Sequence, residues 1–246
     1  MDMEIPVVKD SFKVQSYESD VNNRMKPVSL QQRLQEAAYV GGEFCGAGYE
    51  TLQKQGLFWA LNRLHFTVYD WPLWGDEIEL QTWSRAHVGP LWHRNYRMLR
   101  DGKVLVDATS AWTLIDIASR SIWRGDNPFD ESRHYEQDTL PFCSKILIPK
   151  ELEFTEAAQR DALYSDLDTN GHVNNCIYPG WAIDALPLDY VLSHKLNDVQ
   201  ICYFREVHAG ETVSLLLGRE EDTWLVQGIV NDAQAFVVRL EFQKAE

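Results

Sequence analysis

Two stretches of the chain recur in the same order. Leu73-Trp74-Gly75-Asp76-Glu77-Ile78-Glu79-Leu80 is matched by His208-Ala209-Gly210-Glu211-Thr212-Val213-Ser214-Leu215: a glycine, an acid, then an alternating strand. Upstream of each, Asp20-Val21-Asn22-Asn23-Arg24 and Asp168-Thr169-Asn170-Gly171-His172 stand before an apolar, helix-like segment. Paired matches in one order mark a duplicated module. A chain built this way folds as two copies of one plan, and the plan can be read from either half.

In the first half, Ser11–Glu18 alternates as a strand. Ser29 is placed to cap a helix over Leu30–Phe44, with Leu30, Leu34, Ala37, Ala38 and Gly41 on one face and Gly46 and Gly48 to stop it. Strands follow at Phe58–Tyr69, Glu77–His87, Trp92–Leu99 and Lys103–Ile115, with an Asp-Gly hairpin at Arg100–Lys103. The second half predicts a strand over Glu153–Tyr164 and a helix over Asn175–Leu186 ended by Pro187. Further strands fall at Asp198–Val207, Thr212–Gly218, Trp224–Val230 and Ala235–Gln243. Between the halves, residues 126–150 are polar, carry Pro128, Pro141 and Pro149, and read as a linker. The expected domains are therefore 1–125 and 151–246.

A strand, a long helix, then several antiparallel strands is the order of a hot-dog unit. The expected fold is α+β: a tandem (double) hot-dog, two antiparallel sheets each wrapping a central helix and joined into one continuous sheet. The 246 residues are 45% hydrophobic, enough for a sizeable core. A formal charge of -14 speaks against a nucleic-acid partner and against docking on an anionic membrane. Cys45, Cys143, Cys176 and Cys202 form no CxxC pair and no metal-ligand spacing, so neither a metal nor a cofactor is expected. The start, MDMEIPVVKD, has no signal-peptide pattern and no apolar run reaches spanning length, which predicts a cytoplasmic protein with reduced thiols.

The densest polar stretch is DLDTNGHVNNCIYPGW, from Asp166 to Trp181. Asn174 and Asn175 are first of all helix-cap candidates, because Asx side chains satisfy orphan N–H groups. One cap is enough, which leaves Asp168, Asn170 and His172 to be explained. His172 follows Gly171 and precedes a helix, where N–H groups can hold an oxyanion. A second candidate is Glu206, at the end of an apolar strand in Tyr203-Phe204-Arg205-Glu206. Aligning the repeats puts Glu206 where the first half has Trp71, and His172 where it has Arg24, while Asp168 and Asn170 match Asp20 and Asn22. That asymmetry predicts one site per chain.

At these residues the chain resembles the acyl-ACP thioesterases, fused double hot-dog enzymes. The likeness rests on Asp168-x-Asn170-x-His172-Val173-Asn174-Asn175-x-x-Tyr178 and Tyr203-x-Arg205-Glu206. In the first half it rests on Trp59-Ala60-Leu61-Asn62-Arg63-Leu64 and Tyr69-x-Trp71-Pro72-x-Trp74-Gly75-Asp76. The resemblance implies hydrolysis of a fatty acyl thioester on acyl carrier protein, with Asp168, Asn170, His172 and Glu206 as the catalytic set and no cofactor. It also places the acyl-chain pocket in the first half and is compatible with a homodimer; Trp59 and Asn62 there, and Asn174 and Asn175 in the second half, are the candidate substrate contacts. For Trp59, Leu61, Trp71 and Trp74 the plainer reading is ordinary core.

Some family members carry a cysteine after the glutamate; here Val207 stands there, which the resemblance takes to exclude a cysteine nucleophile. Glu206 or Asp168 could activate water, Asp168 could attack directly, or His172 could be the base. Arg94, Arg97 and Arg205 are the cations considered for meeting an acidic carrier, each read first as a solvated surface residue. Rival readings are an acyl-CoA thioesterase, a non-catalytic acyl-binding protein, and a dehydratase or hydratase of the same fold.

Overall fold

A computed structural model of the chain describes residues 6–125, 134, 135, 137 and 140–244. Residues 126–133, 136, 138 and 139 of the expected linker lie outside the described residues. The chain divides into two compact units, 1–64 with 69–143, and 65–68 with 144–246.

In the first unit, β1 (Val8–Lys13) and a 3-10 turn (Ser16–Glu18) lead to α1 (Pro27–Phe44) and α2 (Tyr49–Lys54). Then come β2 (Leu57–Val68, of which residues 65–68 belong to the second unit), β3 (Glu77–Ser84), β4 (Trp92–Arg100), β5 (Lys103–Asp116) and the short β6 (Ser121–Ile122). The antiparallel order is β1-β3-β4-β5-β2, with β6 beside β5. In the second unit, β7 (Thr155–Asp161) and a 3-10 turn (Tyr164–Asp166) precede α3 (Tyr178–Asp184) and α4 (Leu188–Ser193). β8 (His194–Tyr203), β9 (Thr212–Glu220), β10 (Thr223–Val230) and β11 (Ala233–Lys244) complete it. Their order is β7-β9-β10-β11-β8, the first unit's order element for element. Each unit thus has the hot-dog plan expected from the repeat.

α1 forms where the apolar positions recur at helical spacing. Leu30, Leu34, Ala37 and Gly41 are buried, and the helix packs on β1 and β3. Burying each leucine contributes about 1.5–3 kcal/mol. The helix starts at Pro27 and not at a Ser29 cap: proline at the first position has no N–H to leave orphaned, and Ser29 lies buried inside the first turn. Gly41 makes room for β4, since a Cβ there would overlap the Arg94 guanidinium.

The second helix is shorter than expected. α3 spans seven residues and has Ile177, not Asn174 or Asn175, at its N-cap. The two short helices α2 and α4 escaped the sequence reading, because six residues are too few to show a helical period. Trp74, read as core, is exposed, whereas Trp71 is buried. Among the described residues no helix is long and apolar enough to cross a membrane.

Candidate functional site

The loop that carries His172 is built twice. In the first unit Asp20 N–H donates to Arg24 O (2.8 Å) and Met25 N–H to Pro72 O (2.8 Å). In the second, Asp168 N–H donates to His172 O (2.8 Å) and Val173 N–H to Val207 O (2.8 Å). In both loops the aspartate Oδ1 accepts the N–H two residues on, from Asn22 and from Asn170, at 2.8 Å. The turn needs a positive φ at the fourth residue, which Asn23 (59°) and Gly171 (79°) supply. Asp168 therefore does in the second unit the structural work that Asp20 does in the first. Its side chain is half-buried, while Asn170 is exposed.

The strand end that carries Glu206 is duplicated as well. Tyr69 and Asp70 both donate to Leu105 O (2.9 and 3.2 Å), and Phe204 and Arg205 both donate to Ala235 O (2.8 and 3.2 Å). Two N–H groups on one carbonyl end the ladder and turn the chain outward. Glu206 thus takes the place of Trp71. The bridges Arg24–Leu73 and His172–His208 then set His208 at the place of Leu73. What the first unit fills with arginine, tryptophan and leucine, the second fills with two imidazoles and a carboxylate.

His172 Nε2 stands 3.4 Å from Glu206 Oε2, with the His172 side chain 21% exposed and that of Glu206 46% exposed. The His208 ring lies edge-on to His172, centroids 4.7 Å apart. The turn bearing Glu206 and His208 is clamped from below. Glu211 Oε2 accepts the His208 N–H at 2.8 Å, and Arg205 donates to Glu211 Oε1 at 3.3 Å and to Val230 O at 3.2 Å. Sequence reasoning used His208 only as a marker of the repeat. The signal that would have singled it out was the contrast with Leu73.

Beneath the loop lies an aromatic floor. Tyr178 stacks on Phe236 at 4.5 Å and meets Trp181 and Tyr203 at 5.6 and 5.8 Å. Burial raises the Tyr178 hydroxyl's pKa, and the carboxylates of Asp168, Glu206 and Glu211 raise it further. Asn174 Oδ1 accepts the Cys176 N–H at 2.8 Å, and Asn175 O accepts the Tyr203 hydroxyl at 3.2 Å. The two asparagines brace the chain between His172 and α3. α3 itself begins six residues after His172 and has Pro179, without an N–H, in its first turn. The loop, not the helix end, therefore orients His172.

Burial, with Asp168 adding to it, pushes the Cys176 thiol up to about 12, so it stays protonated and non-nucleophilic at neutral pH. All four cysteines are buried, and none is in a disulfide. The native protein should show no thiol that reacts promptly with an aromatic disulfide reagent, and all 4 after denaturation. One fast-reacting thiol in the folded state would contradict this placement.

Of the remaining candidates, Trp59 and Asn62 lie in the first unit. The Trp59 indole donates to Ala47 O at 3.1 Å and its ring meets Trp92 edge-on at 6.2 Å. Asn62 Oδ1 accepts the Thr113 hydroxyl. The three arginines are not solvated surface cations. Arg94 is buried under α1, Arg97 grips both oxygens of Asp107 (2.8 and 3.0 Å), and Arg205 is held by Glu211.

Models of the N-terminal and C-terminal domains of acyl-ACP thioesterases match residues 6–127 and 150–243. Oleoyl-acyl carrier protein thioesterase 2 of Arabidopsis thaliana is 29% identical over 237 residues, 86% of this chain and 63% of that protein. Oleoyl-acyl carrier protein thioesterase 1 of the same plant is 31% identical over 234 residues, 85% and 62%. This chain thus spans a little under two thirds of the length of those two relatives. Among solved structures, an acyl-ACP thioesterase from Bacteroides thetaiotaomicron superposes with a TM-score of 0.86 at 22% identity, over 97% of this chain and 98% of that one. The 12:0-ACP thioesterase from Umbellularia californica superposes with a TM-score of 0.78 at 19% identity, over 100% of both chains. At those identities the two structures carry the fold alone.

Proposed function

The chain belongs to the acyl-ACP thioesterase family, and from that premise we propose that it hydrolyses fatty acyl thioesters of acyl carrier protein to free fatty acid and the carrier thiol, ending chain growth in fatty acid synthesis. The observation that carries this reading is the 3.4 Å approach of His172 to Glu206 at a place where the other repeat has arginine and tryptophan. An imidazole beside a carboxylate is a general base for water. In the proposed course, water held by Glu206 and His172 attacks the thioester carbonyl and gives its proton to this pair. The tetrahedral intermediate then expels sulfur, and the proton passes to the leaving thiolate. Asn170, exposed at the loop tip, is the side chain proposed to hold the carbonyl oxygen. Asp168 stays in the proposed set, with direct attack or a loop-holding role open to it.

Residues 151–246 are proposed to carry the chemistry and residues 1–125 to take the acyl chain, with 126–150 as linker. Trp59 and Asn62 would touch the acyl chain, and Asn174 and Asn175 the ester end. Four buried cysteines outside any disulfide fit a reducing, cytoplasmic-type compartment. The partner is an acidic carrier, and a homodimer is compatible with the reading.

The test is thiol release from a panel of acyl carrier protein thioesters and the matching CoA esters. Faster release from the carrier esters is expected. Faster release from CoA esters would move the substrate to acyl-CoA. No release from either would remove the hydrolase reading.

A further inference from the structure

We propose that His172, Glu206 and His208 form a binding site for one transition-metal dication of the zinc class. One ligand atom from each lies within 4.8 Å of the other two. Donor atoms at roughly 2.0–2.2 Å around a tetrahedral zinc are about 3.3 Å apart, and His172 Nε2 and Glu206 Oε2 already stand 3.4 Å apart. His208 closes the set by a small movement of an exposed side chain on a turn. Its backbone is pinned opposite His172 by their bridge and by the Val173-to-Val207 hydrogen bond, so neither ring needs backbone rearrangement to converge. Three protein ligands leave a fourth position open for water.

The donor set selects the metal class. Two imidazoles and one carboxylate suit zinc, cobalt or nickel, whereas magnesium and calcium demand oxygen. The surroundings favour a cation: the half-buried Asp168 carboxylate sits on the same loop as His172, Glu211 is matched by Arg205, and the whole chain carries a formal charge of -14. The first unit cannot hold such an ion, because Arg24, Trp71 and Leu73 occupy the three positions. The ligands come from two loops more than thirty residues apart, so no metal spacing is visible in the letters.

The consequence for activity rests on the reading given under Proposed function: a metal held here takes the lone pair of His172 and a carboxylate oxygen of Glu206, and so stops hydrolysis reversibly. The test is titration of the untagged full chain with Zn2+ by calorimetry and with Co2+ by visible absorption. Parallel titrations use His208→Leu, a residue the same bridge already accommodates in the first unit as Leu73. One saturable site per chain is expected, weakened roughly 10-fold or more by His208→Leu and by Glu206→Gln. Chelator should restore thiol release to the metal-free rate. No saturable binding, or binding unaffected by both substitutions, would overturn the site. Metal binding that depends on both residues but leaves thiol release untouched would keep the metal site and overturn the catalytic placement instead.

Discussion

Glu206→Gln and His172→Gln are each expected to lower turnover of an acyl carrier protein thioester by roughly 100-fold or more, the range set by losing a general base. Glutamine keeps the size of either side chain and its capacity for hydrogen bonding, but cannot take a proton from water. Neither change should unfold the protein. Both side chains are partly exposed, and the hydrogen bonds that form their loops come from the backbone, from Asp168, from Arg205 and from Glu211. Thermal midpoints within a few degrees of wild type are therefore part of the expectation. Asp168→Asn separates the roles left open for Asp168. The amide oxygen still accepts the Asn170 N–H, as Asp20 accepts that of Asn22, so a loop-holding role survives the change. A nucleophile or base does not survive it, and turnover falls as far as in Glu206→Gln. Near-normal turnover in both Glu206→Gln and His172→Gln would end the assignment of this site.

The largest expected effect on stability is at Asp198. This buried carboxylate on β8 collects the His65 imidazole at 3.0 and 2.9 Å and the Thr67 hydroxyl at 2.6 Å, with Arg239 at 3.9 Å. Only 8% of the residue is exposed, so little water replaces the lost acceptor. The donors are part-buried, with 22% of the His65 side chain exposed, so each one left without an acceptor costs toward the lower end of about 1–3 kcal/mol. Asp198→Ala should therefore destabilise the second unit by about 2–4 kcal/mol and lower its thermal midpoint by about 5–15 °C. Asp198→Asn, which still accepts from Thr67, should cost less. Calorimetry on the three proteins orders them wild type, Asn, Ala. An alanine variant as stable as wild type would mean the network contributes nothing to the fold.

Much of this molecule is legible in its residues. The repeat announced the shared strand order, and Asp101 and Gly102 announced a hairpin that both adopt with positive φ. The positions of His172 and Glu206 opposite Arg24 and Trp71 followed from counting along the two halves, and the duplicated hydrogen bonds place them so. Element ends were less legible. β8 was expected over Asp198–Val207 and runs from His194 to Tyr203. Its polar start looks like loop until Asp198 meets His65 and Thr67, and the residues after Tyr203 look like a continued strand until Ala235 draws in two N–H groups at once. Helix α3 lost its first turn in the same way, to hydrogen bonds made by Asn174 and Asn175.

The residues alone determined that the chain carries two copies of one plan and that only the second copy places a histidine and a glutamate at the matched positions, because periodicity and turn chemistry act between near neighbours in sequence. Tertiary structure decided which atoms meet. The 3.4 Å approach of His172 to Glu206, and the arrival of His208 beside them, depend on Val173 pairing with Val207 across a gap of more than thirty residues. A hydrogen bond between distant segments leaves no period in the letters, so its consequences appear only when the chain is folded.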